Sequence, residues 1–492
     1  MEDISIEDPT QNSAEILYNY IVNEDKGKYE QKKGKSKKDL KTFLGIESPT
    51  PIPNLHLLDL KLALKYEEDK LYLKNDKIYK YLRRGNCLTY NTQNGKIGIA
   101  RIGLIKFFDY RKSYSSYLSK EERRVLEKVK ESKLPLSVYL TEKANGENFQ
   151  VSFNPVYNCW IIGSKTVTIA CRDVKDIKFY NNPENFKPKN FQPLIKEFMT
   201  SKNFLDKRRY EYVLDFGKTW FDLLNKLFKT EEQLDEFKKV ISYHSFIGEN
   251  VGDKYHQHIK VYKEKDIIFY GIVNHLTYDT EICLPLSKSF EIFKKFGFTS
   301  VPIEKSETFK NFEELKIYLD KKYDEILLKT IKESGEGNVV YFVENGENGV
   351  ENIISVAKLK TFEYRFYRKI REKIKIILER YRKHPKNLSL GDLKRNLREE
   401  SEELAEKYQK ELNFENYIKF SDFVFDYVIK YDNQRDYFDV FAEFIHILKY
   451  CFNKIEEKKD NEEKDIDKDY QKIKEALDNK FSEIDKMKKN NI

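Results

Sequence analysis

Between residues 76 and 365, short apolar runs alternate with glycine and asparagine, and this texture limits the possible folds more than any other feature. Several runs have the length and the β-branched and aromatic content of strands: LPLSVYL (134–140), NFQVSF (148–153), CWIIGS (159–164), EYVLDFG (211–217) and DIIFYGIV (266–273). The segments 288–297 and 311–327 show helical spacing instead. Strands mixed irregularly with helices predict an α+β domain of antiparallel sheets flanked by helices.

The texture changes on both sides of this region. Residues 1–75 are polar and include a lysine-rich run, so we predict a polar N-terminal extension there. Residues 366–492 have helical spacing nearly throughout, with a loop expected at 384–392 and a core helix at 436–452. The predicted organisation is therefore an extension, a main domain at 76–365 and an all-helical C-terminal domain.

Composition excludes several classes of protein. The five cysteines are scattered and form no C-x-x-C pair, so a disulfide framework is not expected. The first residues lack the apolar centre of a secretory signal, and no run of about 18 apolar residues predicts a membrane span. The net charge of +8 permits a polyanionic partner without establishing one. We expect a cytoplasmic or nuclear protein that is not secreted and has no membrane partner.

The tetrapeptide KANG (143–146) follows a predicted strand and places a glycine three residues after Lys143. The spacing alone is a weak signal, because KESG (332–335) repeats it. A neutral lysine amine can attack the α-phosphate of ATP, expel pyrophosphate and retain AMP as a phosphoramidate. The pKa of such an amine must fall from about 10.4, which nearby cations and partial desolvation achieve. Gly146 permits a tight turn and a close approach of the backbone to the nucleotide.

Further candidates for nucleotide contacts follow in chain order. They are Lys165 for a phosphate, Glu249 for a ribose hydroxyl or a metal, Tyr270 for stacking on adenine, Glu336 as a carboxylate at a strand start, and Lys358 with Lys360 for the α-phosphate. Because side chains alternate along a strand, the last two lysines share a face. Each residue alone fits an ordinary surface, turn or core position, so the prediction rests on their joint order.

The order KANG, SK, GE, FYGI, EGNV, KLK is similar to that of the covalent nucleotidyltransferases, which include RNA ligases, DNA ligases and mRNA capping enzymes. The sequence most resembles RNA ligases of the fungal tRNA ligase and phage T4 type. Asn145 stands where DNA ligases and capping enzymes usually have Asp, and residues 248–274, including His258, resemble the block around the third motif of tRNA ligases. Residues 358–372 resemble their last motif, and 100–108 resemble an element before the adenylation motif.

The resemblance implies a nucleotidyltransferase fold, with ATP and Mg²⁺ as cofactors. It implies that Lys143 is the nucleophile, that Glu336 assists metal binding, and that further residues bind the nucleotide: Arg84, Lys106, Gly146, Lys165, Glu249, Tyr270, Glu336, Lys358 and Lys360. Arg368 and Arg371 match arginines that hold a 2′-phosphate on the acceptor RNA end. Their spacing gives them a common face on a helix, which is equally well explained as a plain basic surface.

The activity implied by the resemblance is ATP-dependent RNA ligation through lysyl-AMP, which joins a 5′-phosphate to a 3′-hydroxyl in tRNA splicing or RNA repair. The expected partners are RNA ends, from tRNA halves or broken RNA. The sequence has no G-x-x-x-x-G-K-[ST] loop and no paired H-x-[ST] motifs, so we expect an end-processing kinase and phosphodiesterase in trans. The alternatives are a DNA ligase, a capping guanylyltransferase, or a non-catalytic RNA-binding protein with a ligase-like fold.

Overall fold

The computed structural model divides into two compact units. Unit 1 comprises Met1–Gly252, Glu264–Ile326 and Gly337–Leu359, and unit 2 comprises Asp253–Lys263, Leu327–Glu336 and Lys360–Ile492. The residues described are 8–24, 29–33, 36–40, 43–62, 71–73, 75–110, 126–132, 135–187, 190, 193–195, 199–200, 207–252, 260, 262, 264–346, 350–383, 389–407, 418, 421–422 and 424–426. Within these ranges, every helix is too short or too polar to cross a membrane.

The strands in chain order are β1 (Tyr29–Lys33), β2 (Ser36–Leu40), β3 (Phe43–Pro49), β4 (Leu55–Leu62), β5 (Asn86–Asn91), β6 (Ile97–Arg101), β7 (Phe108–Asp109), β8 (Leu136–Glu142), β9 (Glu147–Asn154), β10 (Cys159–Gly163), β11 (Thr168–Cys171), β12 (Met199–Thr200), β13 (His244–Val251), β14 (Asp266–Asn274), β15 (Ile303–Phe309), β16 (Gly337–Asn345) and β17 (Glu351–Lys360). Larger sheets have the orders β11-β10-β9-β13-β14, β12-β3-β4-β5-β6 and β15-β8-β16-β17-β7, while β1 pairs with β2. Most pairs are antiparallel, and β12 with β3 and β7 with β17 are short parallel pairs.

The α-helices are α1 (Gln11–Glu24), α2 (Asp76–Tyr81), α3 (Ile177–Asn181), α4 (Lys207–Leu227), α5 (Glu231–Ile241), α6 (Leu286–Phe296), α7 (Phe312–Leu327), α8 (Ile331–Ser334), α9 (Phe362–Lys383) and α10 (Leu390–Lys407). Short 3-10 helices occupy Val174–Asp176 and Pro183–Phe186. Mixed helices and largely antiparallel sheets confirm the predicted α+β class. The predicted helices at 288–297 and 311–327 are confirmed as α6 and α7.

An aromatic core joins the β9–β10–β13–β14 sheet to helices α4, α5 and α6. Trp160 of β10 and Trp220 of α4 lie with ring centroids 5.3 Å apart, and Phe269 of β14 lies 5.3 Å from Phe298. Large aromatic side chains bury much apolar surface and prefer such tilted contacts. This core holds in place the sheet that contains Glu249 and Tyr270.

The strand predicted at 211–217 is wrong, because this segment lies inside α4. The buried apolar side chains recur at intervals of three and four residues: Val213, Phe216, Trp220 and Leu224. That spacing is helical, but the window EYVLDFG is too short to reveal it. The other strands predicted from apolar runs correspond to β8, β9, β10 and β14.

Part of the segment predicted as an N-terminal extension forms sheet structure. Strands β3 and β4 pair with each other, and β4 pairs with β5, which belongs to the predicted main domain. The turn that contains the sequence PTPIPN (49–54) joins these two strands, with Asn54 at φ 59°. Helix α1 contributes Ala14 and Leu17 to a core with β4, β5 and β6.

The described residues after Lys360 are helical. Helix α9 follows β17 directly, and α10 begins at Leu390, inside the predicted loop at 384–392. The predicted core helix at 436–452, together with Cys451, lies outside the described residues. The all-helical domain predicted for 366–492 therefore stays a prediction beyond α10.

Candidate active site

Lys143 is the first residue after β8, and its backbone is fixed by the neighbouring strand. Its N–H donates to the carbonyl of Gly337, at the start of β16, over 2.8 Å. One residue earlier, Glu142 pairs with Asn338 in the same ladder. The side chain of Lys143 is half-buried, whereas Asn145 is buried. The predicted nucleophile therefore extends from a strand end that hydrogen bonds hold in place.

Gly146 is required by a close approach of two backbones. A Cβ at this position would lie 2.2 Å from the carbonyl oxygen of Asn250 and 2.8 Å from a methyl group of Val251, both in β13. The next residue, Glu147, pairs with Asn250 across the sheet. The KANG motif predicts close contact with a nucleotide at Gly146, and the structure gives a second reason for glycine, which is contact with β13.

Lys358 lies at the same end of the β8–β16–β17 sheet as Lys143. The hydrogen bond from the Gly346 N–H to the Val350 carbonyl (3.0 Å) closes the β16–β17 connection, so the end of β17 lies beside the start of β16. Strands lie about 4.8 Å apart, so one intervening strand separates the two backbones by roughly 10 Å. The Lys358 Nζ lies 3.9 Å from Asp109 Oδ1. Both lysines belong to unit 1, as the prediction requires.

A β-bulge sets the direction of Tyr270. The register between β13 and β14 shifts between Ile247 and Gly248, which leaves Tyr270 without a paired residue. Bulges commonly redirect a side chain in this way. The Tyr270 ring packs against a buried core but stays partly exposed, and its hydroxyl accepts a hydrogen bond from Asn148 Nδ2 over 2.9 Å. A planar, partly exposed ring is the kind of group on which a base can stack.

The Tyr270 hydroxyl lies among predicted nucleotide-contacting residues. Burial of this hydroxyl and the nearby carboxylate of Glu249 raise the pKa of Tyr270 well above 10.0, while Arg84 opposes that rise. Glu249 is half-buried and pairs with Asn148 across β13 and β9. The structure thus brings Arg84, Glu249 and Tyr270 together, and it keeps the tyrosine neutral at physiological pH.

The backbone at Arg84 is tightly enclosed. The Arg84 N–H donates to the carbonyl of Leu104 over 3.3 Å, and a Cβ on Gly103 would lie 1.7 Å from the Arg84 carbonyl oxygen. Gly85 has φ +103°, a conformation that L-residues rarely adopt. These constraints fix the direction in which the Arg84 side chain leaves the backbone.

The preceding residue, Arg83, has a different role that the sequence did not reveal. Its buried guanidinium donates to the carbonyls of Tyr278, Glu281 (2.5 Å) and Ile282 (2.7 Å). Burial lowers the pKa of Arg83 to about 10, so it remains a cation at neutral pH. Arg83 therefore ties the segment after β14 to the turn that contains Arg84.

The other two candidate lysines of unit 1, Lys106 and Lys165, lie in connections between strands. Lys165 is exposed in the turn between β10 and β11, which is closed by a 2.9 Å hydrogen bond from the Ser164 N–H to the Val167 carbonyl. This turn follows Gly163, so it lies at the end of the sheet where β9 begins. Lys106 is half-buried and precedes β7. An exposed lysine keeps its ammonium group in solvent, where a phosphate can reach it.

Within unit 2, Glu336 and Lys360 form a buried ion pair. The Lys360 Nζ lies 3.1 Å from Glu336 Oε1, and the two side chains are 11% and 4% exposed, respectively. The Thr361 N–H donates to the Glu336 carbonyl over 3.2 Å. Removal of either charged partner would leave the other buried without compensation, which is strongly destabilising.

Arg368 and Arg371 differ in exposure although both lie on α9. Arg368 is exposed, and its guanidinium lies 3.3 Å from the Tyr364 hydroxyl. Arg371 is 7% exposed and donates to Glu372 Oε1 over 3.2 Å. A phosphate therefore has open access to Arg368 and not to Arg371, and the predicted role of the pair stays a prediction.

A carboxylate of the kind that binds Mg²⁺ is present at Glu336. In the part of the chain that the structure describes, no cluster of three or more His, Cys, Asp or Glu side chains is arranged for a metal. Mg²⁺ is commonly held by one or two carboxylates together with substrate phosphates and water. The Glu336 carboxylate is paired with Lys360 and is only 4% exposed, so this ion pair must open before Glu336 can bind the ion that the resemblance implies.

A cavity of about 530 Å³ lies elsewhere in unit 1, and none of its lining residues belongs to the predicted site. The lining residues come from α1, from β5 and β6 with their connection, and from 194–195: Glu15, Tyr18, Asn19, Tyr90, Gly95, Ile97, Leu194 and Ile195. Its location does not bear on the predicted nucleotide contacts.

Two polar residues of β9 were missed by the sequence analysis. Asn148 contacts the Tyr270 hydroxyl, and Gln150 contacts Asn148 Oδ1 and the Arg84 carbonyl over 2.8 and 2.9 Å. The sequence does contain a sign of their role, because Asn148 and Gln150 are two residues apart in an apolar strand. Their amide side chains therefore lie on the same face of that strand. The sequence could not show what that face meets.

Comparison with known proteins gives matches among solved structures only, since no family model and no curated protein matches the chain. The structures that it resembles include an archaeal ATP-dependent RNA ligase, form 1, at 12% identity and a TM-score of 0.39, covering 82% of this chain and 83% of that one. Form 2 gives 12% identity and a TM-score of 0.38, covering 76% and 73%.

A Naegleria gruberi RNA ligase with PPi gives 8% identity and a TM-score of 0.27, covering 64% of this chain and 96% of that one. These three neighbours are all RNA ligases. At TM-scores below 0.5, these likenesses do not establish a shared fold. The function therefore has to be inferred from the residues of the site.

Proposed function

We propose that this chain is an ATP-dependent RNA ligase that joins RNA 5′-phosphate and 3′-hydroxyl ends through lysyl-AMP on Lys143. The observation that most supports this proposal is the position of Lys143 at a sheet end, where its backbone is bonded to Gly337 and where Lys358 of β17 lies at the same end, one strand away. The other residues of the proposed site are assigned from the order of the motifs along the sequence. The DNA ligase, capping enzyme and non-catalytic alternatives each predict a different experimental outcome.

The reaction has three steps. The Lys143 amine attacks the α-phosphorus of ATP, a P–N bond forms, pyrophosphate leaves and the amine loses a proton to solvent. An oxygen of the RNA 5′-phosphate then attacks the same phosphorus, the P–N bond breaks and Lys143 regains a proton. Finally, the acceptor 3′-hydroxyl loses its proton and attacks the 5′-phosphate, and AMP leaves.

The residues around Tyr270 would bind the nucleoside. The Tyr270 ring would stack on adenine, and the Glu249 carboxylate would accept hydrogen bonds from ribose hydroxyls. Arg84, with its backbone fixed, offers a guanidinium to the phosphates. Binding through residues whose positions are already set reduces the entropy lost when ATP is ordered.

Lysines would neutralise the phosphates as negative charge moves between them. Lys358 at the end of β17 is assigned to the α-phosphate, and the resemblance adds Lys106, Lys165 and Lys360. Mg²⁺, when bound, would supply further charge neutralisation. Glu336 is the residue that would hold it.

The proposed substrates are RNA ends from tRNA halves or broken RNA. Exposed Arg368 is the better placed of the two predicted arginines for a 2′-phosphate on the acceptor end. A kinase and a phosphodiesterase acting in trans would prepare the ends. The helical region after Lys360 is proposed to bind RNA.

Covalent labelling tests this proposal. We expect protein incubated with α-³²P-ATP and Mg²⁺ to retain label after denaturation, because a phosphoramidate is covalent, and Lys143→Ala to retain none. Lys332→Ala is the matched control, because Lys332 belongs to another K-x-x-G segment, KESG (332–335), and its loss should leave labelling unchanged. No label on wild-type protein, or equal label on Lys143→Ala, would exclude lysyl-AMP formation and favour a binding protein.

Substrate choice separates the enzymatic alternatives. We expect the protein to be labelled by ATP and not by GTP. A capping guanylyltransferase would be labelled by GTP and not by ATP. We expect RNA 5′-phosphate ends to be sealed much faster than nicked DNA. Preference for nicked DNA would identify a DNA ligase instead.

A further inference from the structure

Gln150 is a buried carboxamide that contacts two parts of the candidate site at once. Its Nε2 donates to the Arg84 carbonyl over 2.9 Å and to Asn148 Oδ1 over 2.8 Å, and the residue is 1% exposed. A carboxamide nitrogen has two hydrogens, so both are used. The direction of each bond is therefore fixed, because both partners are acceptors.

The hydrogen bonds continue from Asn148 to Tyr270. Because Asn148 Oδ1 accepts from Gln150, its Nδ2 faces the Tyr270 hydroxyl and donates to it over 2.9 Å. The result is a directional relay, Gln150 to Asn148 to Tyr270, whose first member also holds the backbone of Arg84. Hydrogen bonds in a chain polarise one another, so a relay orients its members more strongly than separate contacts do.

The Gln150 carboxamide occupies the space that side chains at two neighbouring positions would need, so those positions are glycines. A Cβ on Gly85 would lie 2.2 Å from Gln150 Oε1, and a Cβ on Gly103 would lie 3.0 Å from its Nε2. Gln150 Oε1 is buried and has no hydrogen-bond partner among the residues that the structure describes. An unsatisfied buried acceptor costs stability, so the contacts of Gln150 are better explained by function than by stability.

We propose that Gln150 is a positioning residue for ATP, which sets the phosphate-binding Arg84 and the adenine-stacking Tyr270 in one fixed geometry. This inference rests on the proposed function, since both partners are assigned to ATP. Gln150 does not touch the nucleotide itself. It acts before the chemical step, so its loss should raise the KM for ATP much more than it lowers the kcat of lysyl-AMP formation.

The test is a double-mutant cycle between Gln150→Glu and Tyr270→Phe. Gln150→Glu keeps the shape but removes both donors, and Tyr270→Phe keeps the ring but removes the end of the relay. We expect Gln150→Glu to raise the KM for ATP about 10-fold while kcat changes by less than about 3-fold. If Gln150 acts through Tyr270, the double variant should exceed Gln150→Glu by no more than about 2-fold.

Ser152→Ala is the matched structural control. Ser152 is two residues further along the same strand, is also fully buried, and also donates to a backbone carbonyl, that of Ala100. It has no link to Tyr270, so its loss should lower the melting temperature and leave the KM unchanged. Gln150→Met, a neutral residue of similar size, replaces Gln150→Glu if the glutamate variant does not fold.

The outcomes separate this inference from the proposed function. If wild-type protein is labelled but the effects of Gln150→Glu and Tyr270→Phe on the KM for ATP multiply in the double variant, the relay is wrong and the proposed function stands. An unchanged KM in Gln150→Glu, or a change matched by Ser152→Ala, would have the same consequence. No label on wild-type protein would overturn both proposals, because there would be no ATP site for Gln150 to serve.

Discussion

The spacing lysine-x-x-glycine occurs at KANG (143–146), KKFG (294–297) and KESG (332–335). The first lies in unit 1 and the last in unit 2, and these two differ in structure. The first is an extended connection between β8 and β9. The last lies in and after the short helix α8, which a capping box between Thr330 and Glu333 starts. The same spacing therefore occurs in an open strand connection and in a capped helix.

The two glycines are needed for different reasons. Gly146 has no room for a Cβ beside the Asn250 carbonyl. Gly335 has φ 56° and ψ −126°, a combination that L-residues rarely adopt, while the atom nearest to an added Cβ is Lys260 Cδ at 3.0 Å. A motif defined by spacing cannot distinguish close packing from backbone conformation, and only the first places a lysine at a strand end.

Gly146→Ala should have a larger effect than a substitution at Gly335, His275 or Thr330. The added methyl group must displace the backbone of β13, and a misplacement of about 1 Å can cost about 100-fold in rate. We expect at least that loss in the rate of Lys143 labelling. Gly391→Ala, at an unstrained position near the start of α10, is the control and should leave labelling intact. Normal labelling of Gly146→Ala would show that the backbone of β13 can shift to accommodate the methyl group without displacing Lys143.

Gly335→Ala should mainly affect stability. The residue must adopt a strained backbone conformation, which costs about 1–3 kcal/mol, whereas the Lys260 side chain can move away. Chemical denaturation would measure the change in the free energy of unfolding. A change well under about 1 kcal/mol would mean that the backbone at residue 335 relaxes. Backbone conformation would then no longer explain why glycine is needed there, in contrast to close packing at Gly146.

The buried histidine His275 in unit 1 should make the stability of the protein depend on pH. Burial lowers the pKa of His275 well below 6.5, and its Nε2 lies 2.8 Å from Ser245 Oγ. Below pH 6.5 the unfolded state takes up a proton that the folded state does not, so stability falls on acidification, by up to about 1.4 kcal/mol per pH unit. His275→Gln should flatten the dependence between pH 6.5 and 5, as measured by urea unfolding. If the free energy of unfolding changes with pH in His275→Gln as steeply as in the wild-type protein, groups other than His275 cause the pH dependence.

Thr330→Ala should have the smallest effect. The Thr330 side chain accepts from the Glu333 N–H and caps α8, a contact worth about 1 kcal/mol. We expect a small fall in melting temperature and unchanged labelling of Lys143, since this helix has no part in the proposed chemistry. Loss of labelling would contradict the separation of the KANG and KESG segments.

Strand and helix predictions succeeded where the apolar period was long enough to identify. Strands β8, β9, β10 and β14 and helices α6 and α7 have regular patterns and match the sequence. The failure at 211–217 came from a window shorter than two helical turns. The strands β3 and β4 were missed because they lie in a segment that reads as polar, while their further partners, β12 and β5, lie outside it.

The sequence by itself determined the chemical types of the candidate site and their order, because a lysine nucleophile needs cations, a carboxylate and a glycine turn. Only the tertiary structure decided which of two glycines is packed against a strand, which of two adjacent arginines is buried, and that Gln150 joins Arg84 to Tyr270. Those outcomes depend on strand register and on the distance between backbones far apart in sequence. A local pattern of residues contains no information about either.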